Sequence, residues 1–454
     1  MTSAATSIPI SDVWFWPVGI LAVSGILFSI LLRWAGIRRP GTLAGLAAGI
    51  LCGATVLGKA HSEWYTRFLV GGETERIALN DLQDRQTADL LAMGRAGVSE
   101  AAIDELRETH QKEFDAATTK YESAVRDHAR GVRLIATGCA GLLLGWLAPI
   151  SLGGLRRRFG THVDGDDRAG SKNDVHWNDA AFAALWMQVL VAGFLGAAVL
   201  FVFGGSQREA LAVAMAFAIT SAGLGGTGVR QAGVSNDGSD DGNFCVEKSN
   251  SSAGRIQLIG WLVGIAVLII AVIGAMLAGD DGVIRPATVF FGGAALGIGF
   301  VLRWLTWNMD ARESLSHRII SGALAFAAVP FIAATLCLKV DILNSVILWP
   351  VFLGMLIGGD GRWFGAALGL RIGGRPWSYA LRSSLPLADA GPVQIAAASI
   401  FITVGWIESL SFAAAIVAGA VLCDLTVEKR DELVRRLYKA IQMDKNRGAD
   451  DANE

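Results

Sequence analysis

Long apolar runs separated by short polar stretches fill most of this chain. Runs near the length that crosses a bilayer, about 20 predominantly apolar residues, fall at roughly 13–33, 41–59, 131–153, 180–204, 208–230, 256–278, 284–304, 318–338, 342–373, 386–403 and 410–426. The pattern predicts an all-α polytopic membrane protein of about 11 transmembrane helices. Helices satisfy their own backbone hydrogen bonds, which lipid cannot do for them. One stretch breaks the pattern. Residues 73–130 carry 13 acids against 8 bases, net −5. Ser99 is placed to cap a helix running from Glu100, and Ile103, Leu106, Phe114, Tyr121 and Val125 are spaced for one apolar stripe. This predicts a soluble helical insertion of two helices broken near Gly94–Gly97. It is either a solvated spacer or a cap that docks a partner or forms a homodimer.

Charge between the runs sets an orientation. Arg38, Arg39, the triplet Arg156–Arg158, Lys248, Arg255, Arg303, Arg312, Arg371, Arg375, Arg382, Lys429, Arg430, Arg435 and Arg436 all fall on one side if the N-terminus is outside and the C-terminus inside. Lys and Arg collect in short cytoplasmic loops, so the expectation is an integral protein of a bacterial inner (plasma) membrane with a cytoplasmic C-terminus. The expected organisation is 1–60, the first two spans; 61–130, the extracytoplasmic insertion; 131–426, the main bundle; and 427–454, a charged cytoplasmic tail. Loops 160–178 and 234–253, rich in Gly, Asp, Ser and Asn, read as cytoplasmic connections.

Composition agrees with this class and narrows the chemistry. The chain of 454 residues is 52% hydrophobic and 18% charged, with 55 Gly and 10 Pro; its mean hydropathy is +0.45. Abundant Gly suits close helix–helix contact in lipid. A net charge of −2 gives no basic excess for nucleic acid. Cys52, Cys139, Cys245, Cys337 and Cys423 form no C-x-x-C pair, so neither a disulfide framework nor a zinc site is expected. The first run lacks a basic flank and a small-residue cleavage site, and reads as a retained span. His61, His110, His128, His162, His176 and His317 lie in predicted loops without ligand spacing. No cofactor is expected.

The order of several motifs resembles the monovalent cation:proton antiporter superfamily, in its bacterial sodium/hydrogen and potassium-efflux branch. Arg38-Arg39-Pro40-Gly41 running into LAGLAAGILCGATVLGK (43–59) is similar to that family's second helix, with Ala54 where the family usually has proline. REALAVAMAFAITSAGLGGTGVRQAG (208–233) resembles its fifth helix, with Thr220-Ser221 at the unwound middle, and Gly254-Arg255 opens the next helix similarly. GRWFGAALGLRIGGRPWSYAL (361–381) and the ending around Gly405-Trp406-Ile407 complete a likeness over about two-thirds of the chain. The resemblance implies two inverted repeats with broken helices crossing at the midplane, where half-helix ends and freed backbone groups hold an ion. Gly223, Gly225, Gly226 and Gly228 make a break physically accessible, though close helix packing explains them equally.

The chain departs from that family where the chemistry sits. The acid-bearing pair of the sixth helix falls on Gly264 and Ile265, and 256–278 contains no Asp or Glu. A later Arg and Glu fall on Ala390 and Gln394, and the family's mid-helix Lys falls on Arg362. About two family helices between the seventh and eighth spans are missing. Exchange of a cation for protons needs one group that both can occupy, and neither Gly nor Ile titrates. Arg362 stays charged at any working pH. Charge persists at Asp360 and Arg362, midway through an apolar segment, and at Asp389 near the start of the next. Asp360 and Arg362 form a structural ion pair, belong to a relocated ion site, or lie in a surface turn at Gly-Gly-Asp-Gly-Arg.

Two functions from different classes follow. The first is an antiporter exchanging Na⁺ or K⁺ for protons by alternating access. In it Asp389 or Asp360 titrates, Thr220 and Ser221 coordinate the cation, Arg362 balances charge, and Gln394 stands where the family keeps a Glu. The second is a transport-inactive antiporter fold acting as a membrane scaffold or sensor through 73–130. Transport of an anion or neutral solute through the same architecture is a third, motivated by Arg362. No G-x-G-D, Y-D, H-E-x-x-H or G-x-S-x-G motif is present, so catalysis is not expected.

Overall fold

The computed structural model describes residues 15–37, 39–96, 99–147, 171–218, 265–266, 268–270, 272–273, 286–308, 315–341, 345–384 and 391–451. The described residues are mostly helical, and no strand occurs among them. Three helical stretches are long and apolar enough to cross a membrane, namely Phe15–Trp34, Gly41–Ala60 and Ile319–Cys337. Shorter apolar helices lie at Trp186–Phe201, Val289–Leu305, Gly391–Thr403 and Leu410–Thr426.

The first helix, α1 (Phe15–Trp34), is apolar on every face and turns a narrow stripe of Leu21, Gly25 and Ser29 inward. It stops in a Schellman arrangement. Gly36 takes the left-handed conformation at φ +89°, Gly36 N donates to Arg33 O, and Ile37 N donates to Leu32 O. Helix α2 (Gly41–Cys52) follows and ends at Gly53, whose backbone is extended. Two hydrogen bonds stitch the chain beyond it to the 338–340 turn: Ala54 N donates to Leu338 O at 3.0 Å and the Thr55 hydroxyl Oγ1 to Val340 O at 2.9 Å. Short turns at 57–60 and 62–65 lead into a π-helical segment, π1 (Thr66–Val70).

The insertion is a helical hairpin. Helix α3 (Glu73–Arg95) and helix α4 (Glu100–Trp146) pack side by side. Ser99 has the extended backbone of an N-cap, but its hydroxyl makes no capping bond; only its carbonyl is engaged, by Ile103 N. The stripe Ile103, Leu106, Phe114, Tyr121 and Val125 is half-buried, and no residue of α3 is fully buried. Helix α4 does not end at the polar-to-apolar transition. Its 47 residues extend about 70 Å at 1.5 Å per residue, so the hairpin's second arm and the third apolar run are one rod.

Helices α5 (Ser171–Phe201) and α6 (Gln207–Ala218) come next. Residues 265, 266, 268–270, 272 and 273 of the sixth run are helical. Helix α7 (Pro286–Asn308) lies along α4. Helix α8 (Leu315–Ala323), a π segment π2 (Leu324–Ala328) and α9 (Val329–Cys337) form one continuous passage. So do α10 (Ser345–Leu353), π3 (Gly354–Gly361) and α11 (Arg362–Ile372). Helices α12 (Trp377–Ser384), α13 (Gly391–Thr403) and α14 (Leu410–Asp451) complete the chain. The expected alternative of a surface turn at Gly-Gly-Asp-Gly-Arg is thereby corrected: the backbone passes through 354–361 as a widened helix. The passage stays helical there with close neighbours packed on its glycines, Ala415 at Gly354 and Phe217 at Gly358.

Helix α13 occupies the centre, with ten of its 13 residues buried. Trp146, Phe401, Ile332, Ile395 and Ile416 fill the surrounding core. Phe194, Phe290, Trp349 and Phe364 point outward, as expected of a surface solvated by lipid rather than water. Glycine brings the backbones together. Gly45 of α2 faces α9 so closely that an added methyl would sit 2.5 Å from both Ala333 Cβ and the Pro330 carbonyl. Gly41, Gly49 and Gly53 continue the same stripe against Ala325, Cys337 and Leu338. Gly141 and Gly145 of α4 press on the Gly292 and Leu296 carbonyls of α7, and Gly299 returns the contact at Leu142.

Gly45→Leu is therefore expected to destabilise the bundle by at least the 1–3 kcal/mol typical of overpacking, about that range or more here because backbone must move. Gly293 has open space around it, and Gly293→Ala is expected to leave stability unchanged or raise it. Thermal unfolding in detergent of the two variants checks this; equal midpoints would contradict it.

Candidate ion site at the 354–361 helical break

The break begins in the sequence. Pro350 lies inside α10 and removes a helical N–H. Four glycines, Gly354, Gly358, Gly359 and Gly361, follow it. With few side chains to resist, the backbone widens into the eight-residue π3. Such π segments loosen the regular ladder and concentrate at functional positions. The glycines also let neighbours in. Gly354 abuts the Ala415 backbone of α14, and Gly358 lies against the Phe217 ring of α6. A methyl on Gly419 would meet the Gly354 carbonyl at 2.6 Å and Phe217 at 2.8 Å.

Gln394 of α13 reaches this point. It is 0% exposed, and its Nε2 donates a long hydrogen bond of 3.4 Å to the Gly358 carbonyl. Its Oε1 is buried with no hydrogen-bond partner among the described residues. Arg362 opens α11 directly after the break and is 2% exposed. On the facing α5, Ala183 and Ala184 pack at Gly369, and Val191 packs at Gly365. Gln188 lies between those contacts, 1% exposed, with both amide atoms unpartnered among the described residues. Burying such groups without partners is costly, so this half of the core holds unused polar capacity.

Of the six residues named from sequence, the structure therefore brings Gln394 onto the π3 backbone that carries Asp360 and leads into Arg362. Phe217 places the end of α6, one residue before its last, against the same segment. Thr220, Ser221 and Asp389, together with the Asp360 side chain, lie outside the described residues. Ile265, one of the two positions where the resemblance places an acid, is buried in the main apolar core.

Two carboxylates escaped the sequence reading. Asp424 of α14 is 8% exposed. It accepts a 2.7 Å hydrogen bond from Thr42 Oγ1, in the first turn of α2. Its Oδ1 lies where a methyl on Gly391, the first residue of α13, would come within 2.9 Å. The carboxylate thus sits at two helix N-termini, both electrostatically favourable for an anion. Its signal was visible as the lone acid in the last apolar run. Glu209 is structural. It forms a capping box with Ser206: Ser206 N donates to Glu209 Oε2 at 3.0 Å, and Glu209 N to Ser206 Oγ at 3.2 Å. Its other oxygen accepts from Glu408 N at 3.2 Å and Ser409 N at 2.8 Å, ahead of α14. One side chain caps α6 and ties it to the start of α14; the S-x-x-E spacing at 206–209 announced the first half only.

A separate polar junction roots the hairpin. His128 of α4 packs on Gly71, which has φ +83°. Burial pushes the His128 imidazole below its ordinary range; a backbone hydrogen bond at Phe68 opposes this and Lys339 reinforces it. Lys339 is lowered as well, by burial first and then by Arg133. The Tyr65 phenol is pushed up to about 12, by burial first and then by Tyr121, and its hydroxyl donates to Leu338 O at 3.0 Å.

No protein-family model and no curated protein matched the chain.

The junction's pH response follows from these shifts. Because the docked His128 prefers to be neutral, the undocked state takes up protons first as pH falls. Docking stability is thus complete above the ordinary histidine value of about 6.5 and is lost as pH drops toward the depressed one. Hydrogen exchange over 66–72, corrected for intrinsic rate, is expected to be faster at pH 5.5 than at 7.5, and the difference should shrink in His128→Gln. Separately, Glu209→Ala removes caps from two elements, each worth about 0.5–2 kcal/mol. A lowered thermal midpoint, with part of the loss restored in Glu209→Gln, is the expected result.

Proposed function

We propose that this chain is an integral membrane protein of antiporter-like architecture, with about eleven spans and a cytoplasmic C-terminus, that exchanges a monovalent cation for protons by alternating access. The observation that carries the reading is the glycine-rich π3 passage in the bundle core, with Gln394 at the Gly358 carbonyl and the end of α6 against the same segment. A dehydrated monovalent cation needs several oxygens at once. Carbonyls of a loosened helix, the Gln394 Oε1 and the hydroxyls of Thr220 and Ser221 supply oxygens of that kind. Asp389, two residues before α13, and Asp360, within π3, are the carboxylates that would titrate. Arg362 would offset their charge when the cation leaves. The reading has no catalytic step and no cofactor.

A second reading has its own support. Ile265 packs into the apolar core where the resemblance places an acid, and α4 joins the hairpin to the bundle as one rod. Both fit a transport-inactive fold that scaffolds or senses through 73–130, alone or as a homodimer.

Proton flux in proteoliposomes, followed with an internal pH dye while Na⁺, K⁺ or Li⁺ is added in turn, separates the two. The antiporter predicts a cation-dependent signal that Asp389→Asn or Asp360→Asn abolishes. Asp424→Asn, which leaves Thr42 a weaker acceptor but no lost site, should retain it. Folded protein that gives no signal with any cation would overturn the antiporter and support the scaffold.

A further inference from the structure

Helix α3 packs on α4 and has no fully buried residue of its own. Helices owe most of their stability to packing rather than propensity, and a two-helix hairpin has little packing to share. Along one face the two helices stand apart around a cleft of about 520 Å³. Its α3 wall steps through Glu75, Ala78, Leu82, Arg85 and Asp89. Its α4 wall steps through His110, Glu113, Ala117 and Lys120. Both series advance by three and four residues in turn, the spacing with which one helix lies along another over its length. The small Ala78 and Ala117 leave room for close approach. The face also differs in charge from the rest of the stretch. Residues 73–130 carry 13 acids against 8 bases, whereas the cleft sets Glu75, Asp89 and Glu113 against Arg85, Lys120 and His110. Asp81, Asp84, Asp115 and Glu122 are exposed and do not line it.

These charges are ordered by height. Gln86 Nε2 donates to the His110 carbonyl at 2.9 Å, which sets those two positions level. Counting from them along the antiparallel helices, Lys120 stands level with position 76 and Glu113 with position 83. At a rise of 1.5 Å per residue, Lys120 is about 1.5 Å in height from Glu75, and Glu113 about 3 Å from Arg85. Asp89 faces the His110 of its own hairpin at 3.9 Å. Glu75, Arg85, Glu113 and Lys120 line the cleft and make no ion pair among the described residues. Elsewhere α4 pairs its charges along itself, Arg107 with Asp104 and Lys112 with Glu108. Two copies in one bilayer, related by a two-fold axis along the membrane normal, keep every residue at its own height. Facing clefts then set α3 of each copy beside α4 of the other. Glu75 meets the partner's Lys120, Arg85 meets the partner's Glu113, and symmetry repeats both pairs. We infer that the hairpin is a dimerisation device, whose cleft face packs on the same face of a second copy to close an up-and-down four-helix bundle. Confinement to one bilayer raises the effective concentration of the two faces, which lets a largely polar face serve. The inference rests on the membrane reading and does not need ion exchange.

Subunit counting by stepwise photobleaching of labelled full-length protein, diluted in proteoliposomes, tests the interface. Wild type is expected to be dimeric, with the dimer fraction falling on dilution and at high salt, which screens exposed pairs. Arg85→Glu sets two acids level at both copies of that contact. It is expected to weaken dimerisation about tenfold, the effect of losing two exposed pairs. Glu113→Arg should do the same, and the double variant Arg85→Glu/Glu113→Arg should recover the dimer. Lys112→Glu makes the same change of net charge off the cleft and should leave the dimer unchanged. Monomers at every density would overturn the proposal. So would a dimer unmoved by Arg85→Glu, which would place the contact elsewhere, or one that the double variant fails to restore. Protein that stays out of the liposomes would overturn the membrane reading first, and this proposal with it. Subunit counting does not read proton flux, so its outcome is separate from that of the antiporter test.

Discussion

Close approach of helix backbones through glycine is the constraint on which the rest of this structure depends. Lipid removes most of the hydrophobic drive for one apolar helix to prefer another, so association falls to packing and polar contacts. The α2–α9 pair meets this by presenting Gly41, Gly45, Gly49 and Gly53 on one face. The α4–α7 pair does it with glycines on both partners. These contacts leave no room for a methyl, so they fix the register of the helices as well as their distance. Where the same device appears at Gly354 and Gly419, it brings α14 onto a widened helix rather than a regular one. Packing and the loosened backbone therefore have one origin, a run of residues without side chains.

Polar groups then lock what glycine allows. Glu209 caps α6 with one oxygen and holds the backbone ahead of α14 with the other. Asp424 binds Thr42 across 382 residues of sequence separation, joining the first helices of the chain to the last. Each is a buried carboxylate with named donors, and each ties together elements far apart in sequence. Gln188 and Gln394 differ, because they are buried with amide atoms that meet nothing among the described residues. A core that gives both carboxylates hydrogen-bond donors and leaves these amides under-used concentrates spare polar capacity near the break. It keeps donors and acceptors beside the break.

Much of this was legible along the chain. Apolar runs marked the helices, and the charged stretch 73–130 marked the hairpin with its break near Gly94–Gly97. The continuity of α4 across position 130 was not legible, because the change from polar to apolar surface alters what surrounds a helix without altering its hydrogen bonds. Likewise, a surface turn was one of the three readings open for Gly-Gly-Asp-Gly-Arg, yet the segment, packed on Ala415 and Phe217, is helical. Of the candidate site, Arg362 and Gln394 were named from their positions in a resembling pattern. Asp424 was overlooked because it stands at the edge of its apolar run, where an acid ordinarily reaches water. Only the fold reveals that the N-termini of α2 and α13 close over it.

The replacement at Ile265 bears on how any ion function has to work. In an apolar core an unpaired carboxylate is expensive, and the surrounding side chains must supply donors to keep it charged. Ile265 instead packs in the main core cluster with Leu268 one turn away, each reinforcing an apolar setting. Returning an acid to that position would bury it in that apolar cluster. The π3 segment has the opposite character: loosened carbonyls, an amide at Gly358 and a guanidinium immediately following. The polar capacity that the sixth run lacks is concentrated in the ninth. Under the proposed exchange, the charge-carrying step would sit at the helical break of the ninth run rather than on a side chain of the sixth. On the proposed reading, an arginine at 362, which never gives up its proton, would keep an empty site from carrying a net negative charge.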